Sequence, residues 1–186
     1  MNDCVKSIVG GNPYSPGGYA VVMNPNTGGI YALADVNRNV KTGKITDNAL
    51  GAINQTYVMG SVVKGAMVLG ALKSGVITPS NNTLTEEPIK LKGTATKSSW
   101  FNKTGGANLS LTASDALEVS SNSYMMKLAM MEGGFNYVPG SALSLSNSIF
   151  DKLRSNFKQF GLCVKTGIDI PGDAKRFEGP ANQAHI

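Results

Sequence analysis

Histidine is almost missing from this sequence: the one imidazole, His185, stands next to the last of 186 residues, where chain ends fray. A Ser-His-Asp triad needs a positioned imidazole, so serine chemistry here would have to use another base. Cysteine is equally scarce. Cys4 and Cys163 lie at opposite ends with no Cys-x-x-Cys pair, so neither a zinc site nor a redox motif is expected, and no metal or other cofactor. Nor can two cysteines staple a secreted miniprotein. No apolar run approaches the roughly 20 residues of a bilayer-spanning helix. Residues 1–10 lack the basic patch and apolar stretch of a signal peptide, which leaves a cytoplasmic protein or one whose export segment is left out. Charged residues make up 16% against 41% hydrophobic, too few charges for a disordered tail, and the 22 glycines have no triplet period. What remains is a chain able to bury a core, long enough for one ordinary domain.

The net charge of +5 and a pI near 9.2 raise the question of an anionic partner. Lys90, Lys92 and Lys97 form the densest basic stretch, but no aromatic residues interleave them and no finger, helix-turn-helix or RNA-recognition signature occurs. Nucleic-acid binding is therefore not expected.

Residues 18–23 are short, apolar and β-branched, residues 24–29 (Asn-Pro-Asn-Thr-Gly-Gly) are dense turn chemistry, and residues 30–34 are apolar again. This spells a β-hairpin, and successive apolar residues in both arms imply a sheet covered on both faces. Residues 61–72 (SVVKGAMVLGAL), stopped by Gly75, suit a helix that is apolar nearly all round and central to a core. Residues 76–111 read as irregular, with a short extended piece at 89–91. Thr112-x-x-Asp115 resembles a capping box opening a helix through Val119; Ser120-Ser121-Asn122 interrupts it, and a second helix runs from Tyr124 to Met131 before Gly133-Gly134. Met125, Met126, Met130 and Met131 are expected as core filler. Ile149, Phe150, Leu153, Phe157 and Phe160 fall at helical spacing, capped by Ser146 or Asn147 and closed by Gly161. One hairpin plus several helices makes an α+β fold, yet a lone two-stranded sheet is not a stable object. The tail after Pro171 offers no strands, a first hint of a partial domain.

Lysine can replace histidine as a base where burial disfavours its ammonium form. Ser61-Val62-Val63-Lys64 offers that pair: positions i and i+3 share a helix face, and the surrounding Val, Met and Leu would dry it. At a helix start the backbone N–H of Ser61 has no intrahelical acceptor and can serve as half of an oxyanion hole. The motif alone is weak. With 17 Ser and 14 Lys, about 1.3 Ser-x-x-Lys would arise by chance, and a second copy, Ser155 to Lys158, lies on an amphipathic helix as a solvent face. Ser-x-Asn also occurs twice, at Ser80 and Ser120, but only Ser120-Ser121-Asn122 breaks two helices, where a hydroxyl and an amide can point into a cleft.

The order of these pieces is more specific than any one of them. Residues 19–30 (YAVVMNPNTGGI) resemble the hairpin that opens penicillin-binding transpeptidase domains, residues 57–64 (YVMGSVVK) their nucleophile motif, Ser120-Ser121-Asn122 their second motif, and residues 166–172 (TGIDIPG) a segment of class B members. The chain thus resembles a class B penicillin-binding protein, and the resemblance implies a penicillin-binding and serine β-lactamase-like fold. It implies a D,D-transpeptidase that cross-links peptidoglycan stem peptides: Ser61 attacks the D-Ala-D-Ala bond, Lys64 accepts its proton, Ser120 relays it to the leaving group, and Asn122 holds the substrate amide. β-Lactams would stall at the acyl stage. Trp100, in the loop before the second motif, either lines the cleft or simply packs.

Two departures stand out. Met59 replaces the Pro common before the Gly-Ser of the nucleophile motif. The third motif, a Lys-Ser/Thr-Gly strand that binds the substrate carboxylate and completes the oxyanion hole, is not evident: Lys-Thr-Gly occurs at Lys41, Lys103 and Lys165, all in turn-like surroundings. The expectation is a partial transpeptidase domain over 1–186, with its third-motif strand and remaining sheet strands missing and with little acylating activity alone. The resemblance further implies the extracytoplasmic face of the bacterial membrane, an N-terminal anchor absent from this chain, a role in cell division or cell shape, and division or elongation proteins as partners. A β-lactam sensor is the first alternative, disfavoured by Asn122 because sensors usually carry an apolar residue there; a noncatalytic cell-wall scaffold is the second, and a solvent-pointing Lys64 would favour it.

Overall fold

The structure is a computed structural model describing residues 1–48, 50–55, 59–146, 148–162 and 164–170. These residues divide into two compact units, one holding the chain before residue 58 with residues 164–170, the other holding residues 59–162.

In the first unit, helix α1 (Asn2–Gly11) precedes strands β1 (Gly17–Met23), β2 (Ile30–Arg38) and β3 (Ile45–Asp47), followed by the short helix α2 (Gly51–Asn54). The hairpin expected from residues 18–34 forms with Ala20 opposite Ala34 and a bulge at Val22/Met23. Asn24 folds its turn: its Oδ1 accepts the N–H groups of Asn26 at 2.9 Å and Thr27 at 3.3 Å, a side chain imitating a backbone turn. β3, which lacks an apolar signal of its own, pairs with the far end of β2. α1 seats Val9 against Gly18, where a Cβ would lie 2.7 Å from Val9 Cγ2. Coverage on both faces, implied by the apolar arms, does not extend along the hairpin: Ala34, Asp35 and Val36 are buried, but Tyr19, Val21, Val22, Met23, Ile30 and Tyr31 are exposed. α1 and α2 are the helices that pack on β1 and β2, and the apolar turn end is left open.

In the second unit, a 3-10 turn (Gly60–Val63) leads into helix α3 (Lys64–Ser74); β4 (Leu84–Glu86) pairs antiparallel with β5 (Leu109–Leu111), and α4 (Ala113–Glu118), α5 (Asn122–Glu132) and α6 (Ser148–Lys158) follow. Val68 and Ala71 of α3, Ile77, Leu111, Ala116, and Tyr124, Met125 and Leu128 of α5 form the core. Met125 and Met130 are buried and Met131 packs against this cluster. The capping box is present: Thr112 Oγ1 accepts from Asp115 N, and Asp115 Oδ2 accepts from Thr112 N. α3 ends at Gly75 in the left-handed conformation. It is not apolar-buried all round, however: one face packs on α5 and α6, while Leu69, and Val62 in the turn before it, are exposed. The extended piece expected at 89–91 reduces to a single bridge, Ile89 to Lys97, and the strands lie at β4 and β5 instead. At the start of α6, Ser146 Oγ accepts from Ser148 N at 3.3 Å, and Gly161 (φ 77°) follows its end; Asn147, the other candidate cap, lies outside the described residues, as do Cys163, the tail from Pro171 and His185.

Leu128 is fully buried at the centre of this core. Leu128→Ala is expected to destabilise the unit by about 3 kcal/mol, through lost transfer energy and a residual cavity. In urea unfolding this reads as a lower midpoint with an unchanged slope.

Candidate active site

Gly60 has φ +56°, a conformation L side chains rarely adopt, and it swings the chain into the 3-10 turn that carries Ser61. Ser61 is exposed, while Lys64, one helical turn on, is 9% exposed. In the first turn of a helix the N–H of Ser61 is among those with no intrahelical acceptor.

The second motif is held by a precise backbone device. Ser120 N donates to Leu117 O at 3.2 Å and Ser121 N to Ala116 O at 2.8 Å, the paired bonds of a Schellman motif ending α4. Ser120 occupies the left-handed position of that motif, ordinarily glycine's, at φ +56°. The next residue starts a new helix: Ser121 is the N-cap of α5, its Oγ accepting from Tyr124 N at 2.9 Å. The break between helices that the polar triplet suggested is therefore a C-cap fused to an N-cap, and it turns Ser120 and Asn122 toward α3.

Lys64 Nζ makes three donations, to Ser120 O at 2.7 Å, Ser120 Oγ at 2.9 Å and Asn122 Oδ1 at 2.7 Å. Ser120 Oγ in turn donates to Ser61 Oγ at 3.0 Å. Lys64 thus reaches Ser61 through the Ser120 hydroxyl, a route the i, i+3 spacing did not anticipate. Two of the three acceptors around Nζ, a carbonyl and an amide oxygen, can only accept. When the ammonium loses its proton, two N–H groups keep those partners and the lone pair faces the one group able to reverse its bond, the Ser120 hydroxyl. Burial lowers the Lys64 pKa below the ordinary lysine value; the charge of Glu86 works in the opposite direction.

The structure brings Ser61, Lys64, Ser120 and Asn122 together. Trp100 lies beside them, largely exposed, its Nε1 donating to Val119 O at 3.0 Å and its ring edge-on to Phe101. The second Ser-x-x-Lys copy stays apart: Ser155 and Lys158 are exposed on α6. Asn82 of the second Ser-x-Asn copy braces a turn, donating to Thr78 O and Pro79 O. None of the Lys-Thr-Gly copies lies on a strand: Gly43, Gly105 and Gly167 have φ of 72°, 89° and 75°. The residues behind the site were not singled out in the sequence. Buried Ser99 accepts from Asn122 N at 2.9 Å and Ser123 N at 3.2 Å, and buried Glu86 accepts from Ser121 Oγ. Nothing in their local sequence marks them, because their role arises from long-range contact. Among the described residues no group of three His, Cys, Asp or Glu side chains is placed to hold a metal, and no helix is long and apolar enough to cross a membrane.

The family profile described as the penicillin binding protein transpeptidase domain matches residues 18–181. Penicillin-binding protein 2B of Streptococcus pneumoniae is 39% identical over 170 residues, covering 90% of this chain and 25% of the relative. Penicillin-binding protein 2A of Bacillus subtilis is 40% identical over 164 residues, covering 87% and 22%. The solved structure of penicillin-binding protein 2B from S. pneumoniae strain R6 superposes with a TM-score of 0.86 at 37% identity, over 96% of this chain and 30% of that one. The chain therefore spans about a quarter of the length of these curated relatives. Matched across nine-tenths of its length in sequence and in fold, this chain belongs to the transpeptidase domain family of penicillin-binding proteins, class B and of the 2B type.

Proposed function

We propose that these residues carry the acylation machinery of a serine D,D-transpeptidase that cross-links peptidoglycan stem peptides. The observation that supports it most is the chain of hydrogen bonds from Lys64 Nζ through Ser120 Oγ to Ser61 Oγ, with the amine buried and turned to the second motif. A scaffold without chemistry has no need of a buried lysine aimed at a nucleophile.

With Lys64 neutral, the Ser61 hydroxyl donates to Ser120 Oγ and Ser120 donates to the amine. Ser61 Oγ attacks the carbonyl carbon of the D-Ala-D-Ala peptide bond as its proton moves through Ser120 to Lys64. The Ser61 N–H faces the developing oxyanion. Collapse breaks the C–N bond, and the proton returns from Lys64 through Ser120 to the departing D-alanine nitrogen, leaving an ester on Ser61. An amine of a neighbouring strand then attacks that ester and gives up its proton through Ser120 to Lys64; the bond between the carbonyl carbon and Ser61 Oγ breaks, and the proton returns through Ser120 to Ser61 Oγ. A β-lactam acylates Ser61 likewise, but its opened ring stays attached and blocks the amine. Asn122, its Oδ1 still held by Lys64, binds the substrate amide, and Trp100 walls the cleft. Placement on the outer face of the bacterial membrane, alongside division or elongation proteins, belongs to the same reading.

One N–H is half of an oxyanion hole, and a missing donor costs about 10²–10³ in rate. In the family the other donor comes from the Lys-Ser/Thr-Gly strand, and no Lys-Thr-Gly copy here forms a strand among the described residues. The 186 residues are therefore expected to acylate little by themselves. Incubated with benzylpenicillin, the free chain should show no adduct by intact mass. Grafted in place of the matched 170 residues of pneumococcal penicillin-binding protein 2B, it should yield a single penicilloyl group on the tryptic peptide containing Ser61. A graft that folds without acquiring the adduct would overturn the acyl-enzyme; robust Ser61-dependent labelling of the free chain would overturn its inactivity.

A further inference from the structure

Glu86 is fully buried on β4, with no oxygen at the surface. Its Oε2 accepts from Ser121 Oγ, and Oε1 has no hydrogen-bond partner among the described residues. Burying a carboxylate with half its acceptor capacity unused is expensive, and such groups persist where their charge or geometry is needed. Here the carboxylate lies under the N-terminus of α5, whose first N–H groups are taken by hydroxyls: Tyr124 N by Ser121, Asn122 N and Ser123 N by Ser99. Ser99 and Ser121 approach to 3.4 Å, so Glu86, Ser121 and Ser99 form one buried tray beneath the turn that presents Ser120 and Asn122. The helix N-terminus favours an anion at this place.

Other charges around Lys64 are committed elsewhere. On α5, Lys127 pairs with Glu87 at 2.6 Å and Glu132 pairs with Lys152 of α6. Lys73 of α3 binds Gln159, Asp151 of α6 binds Arg154, Asp115 of α4 is tied into its Thr112 cap, and Glu118 is exposed at the end of α4. Glu86 is joined through Ser121 to the turn whose Ser120 oxygens accept from Lys64, and its charge opposes the effect of burial on that amine.

We propose that Glu86 is a positioning residue of this site: through Ser121 it fixes the Ser120–Asn122 turn, and from below it supplies the counter-charge that keeps Lys64 within the hydroxyl relay. This rests on the acyl-transfer reading for its purpose but not for its measurement. The 186-residue chain, labelled with 15N and 13C at lysine and asparagine, is titrated by NMR, with Lys64 assigned by its loss in Lys64→Met. Glu86→Gln keeps the shape and removes the charge, so the Lys64 midpoint should fall to lower pH, and Glu86→Asp should restore it in part. Ser121→Ala keeps the charge and cuts the link, so Lys64 should titrate as in the parent while the Asn122 side-chain amide shifts. A Lys64 midpoint unchanged in Glu86→Gln overturns the charge role. An Asn122 amide unmoved in Ser121→Ala overturns the anchoring role, and this arm stands even if Glu86→Gln does not fold. Neither readout needs an acyl-enzyme, so a site that never acylates would defeat the proposed function and leave this result standing.

Discussion

Ser61→Ala should reduce fluorescent-penicillin labelling of the graft to background, whereas Ser155→Ala should leave it unchanged. The two serines share the same four-residue pattern, so the comparison isolates what surroundings add to a motif. Ser61 accepts a hydrogen bond from Ser120, stands in the first turn of a helix after a left-handed glycine, and has a buried amine one hydroxyl away. Ser155 and Lys158 are exposed on α6. With no oxygen at position 61, no ester can form, so the loss is of the covalent product itself rather than of a rate factor. Retained labelling in Ser61→Ala would place the nucleophile elsewhere.

Lys64→Met in the same graft should lower the acylation rate constant by about 10²–10⁴, the usual contribution of a positioned general base, with folding retained because methionine fills the same volume. The pH dependence separates this from a loss of shape. Burial holds the folded-state Lys64 pKa below the ordinary lysine value. Below that folded pKa the ammonium keeps its proton and the relay has no acceptor; as pH rises through it the lone pair is freed, so acylation should climb with pH and level off earlier than an exposed lysine would allow. In Lys64→Met this limb should disappear. Stability carries the same sign: between the folded and unfolded pKa values the unfolded chain binds more protons, so stability attributable to Lys64 rises with pH across that window. A rate that falls while keeping the parent limb would remove Lys64 from the role of base.

Much of the helical frame was legible from short-range chemistry. The Thr112–Asp115 box, the Gly75 and Gly161 stops and the Asn24 turn are decided by residues within a few positions of one another, and each appears where its pattern points. Where the outcome depends on distant partners, the sequence was silent or misleading. β4 and β5 are three residues each and owe their pairing to a connection of more than twenty residues. The apolar arms of the hairpin implied cover on both faces that α1 and α2 do not provide. In the site, spacing alone brought Ser61 and Lys64 to one helix face, and the helix break singled out Ser120 and Asn122. What spacing could not express is that the amine turns away from its own helix to the second motif, or that Glu86 and Ser99 support that motif from below.

The left-handed backbone at Ser120 leaves that position without a conservative neighbour. Glycine would relieve roughly 1–2 kcal/mol of backbone tension but delete the hydroxyl that joins Lys64 to Ser61. Threonine would keep the hydroxyl, but its branched Cβ tolerates a positive φ poorly. Asparagine suits the backbone but brings an amide that cannot pass a proton in both directions. For the proposed relay, then, substitution has almost no room at this residue, and change that keeps the relay must accumulate in the shell around it.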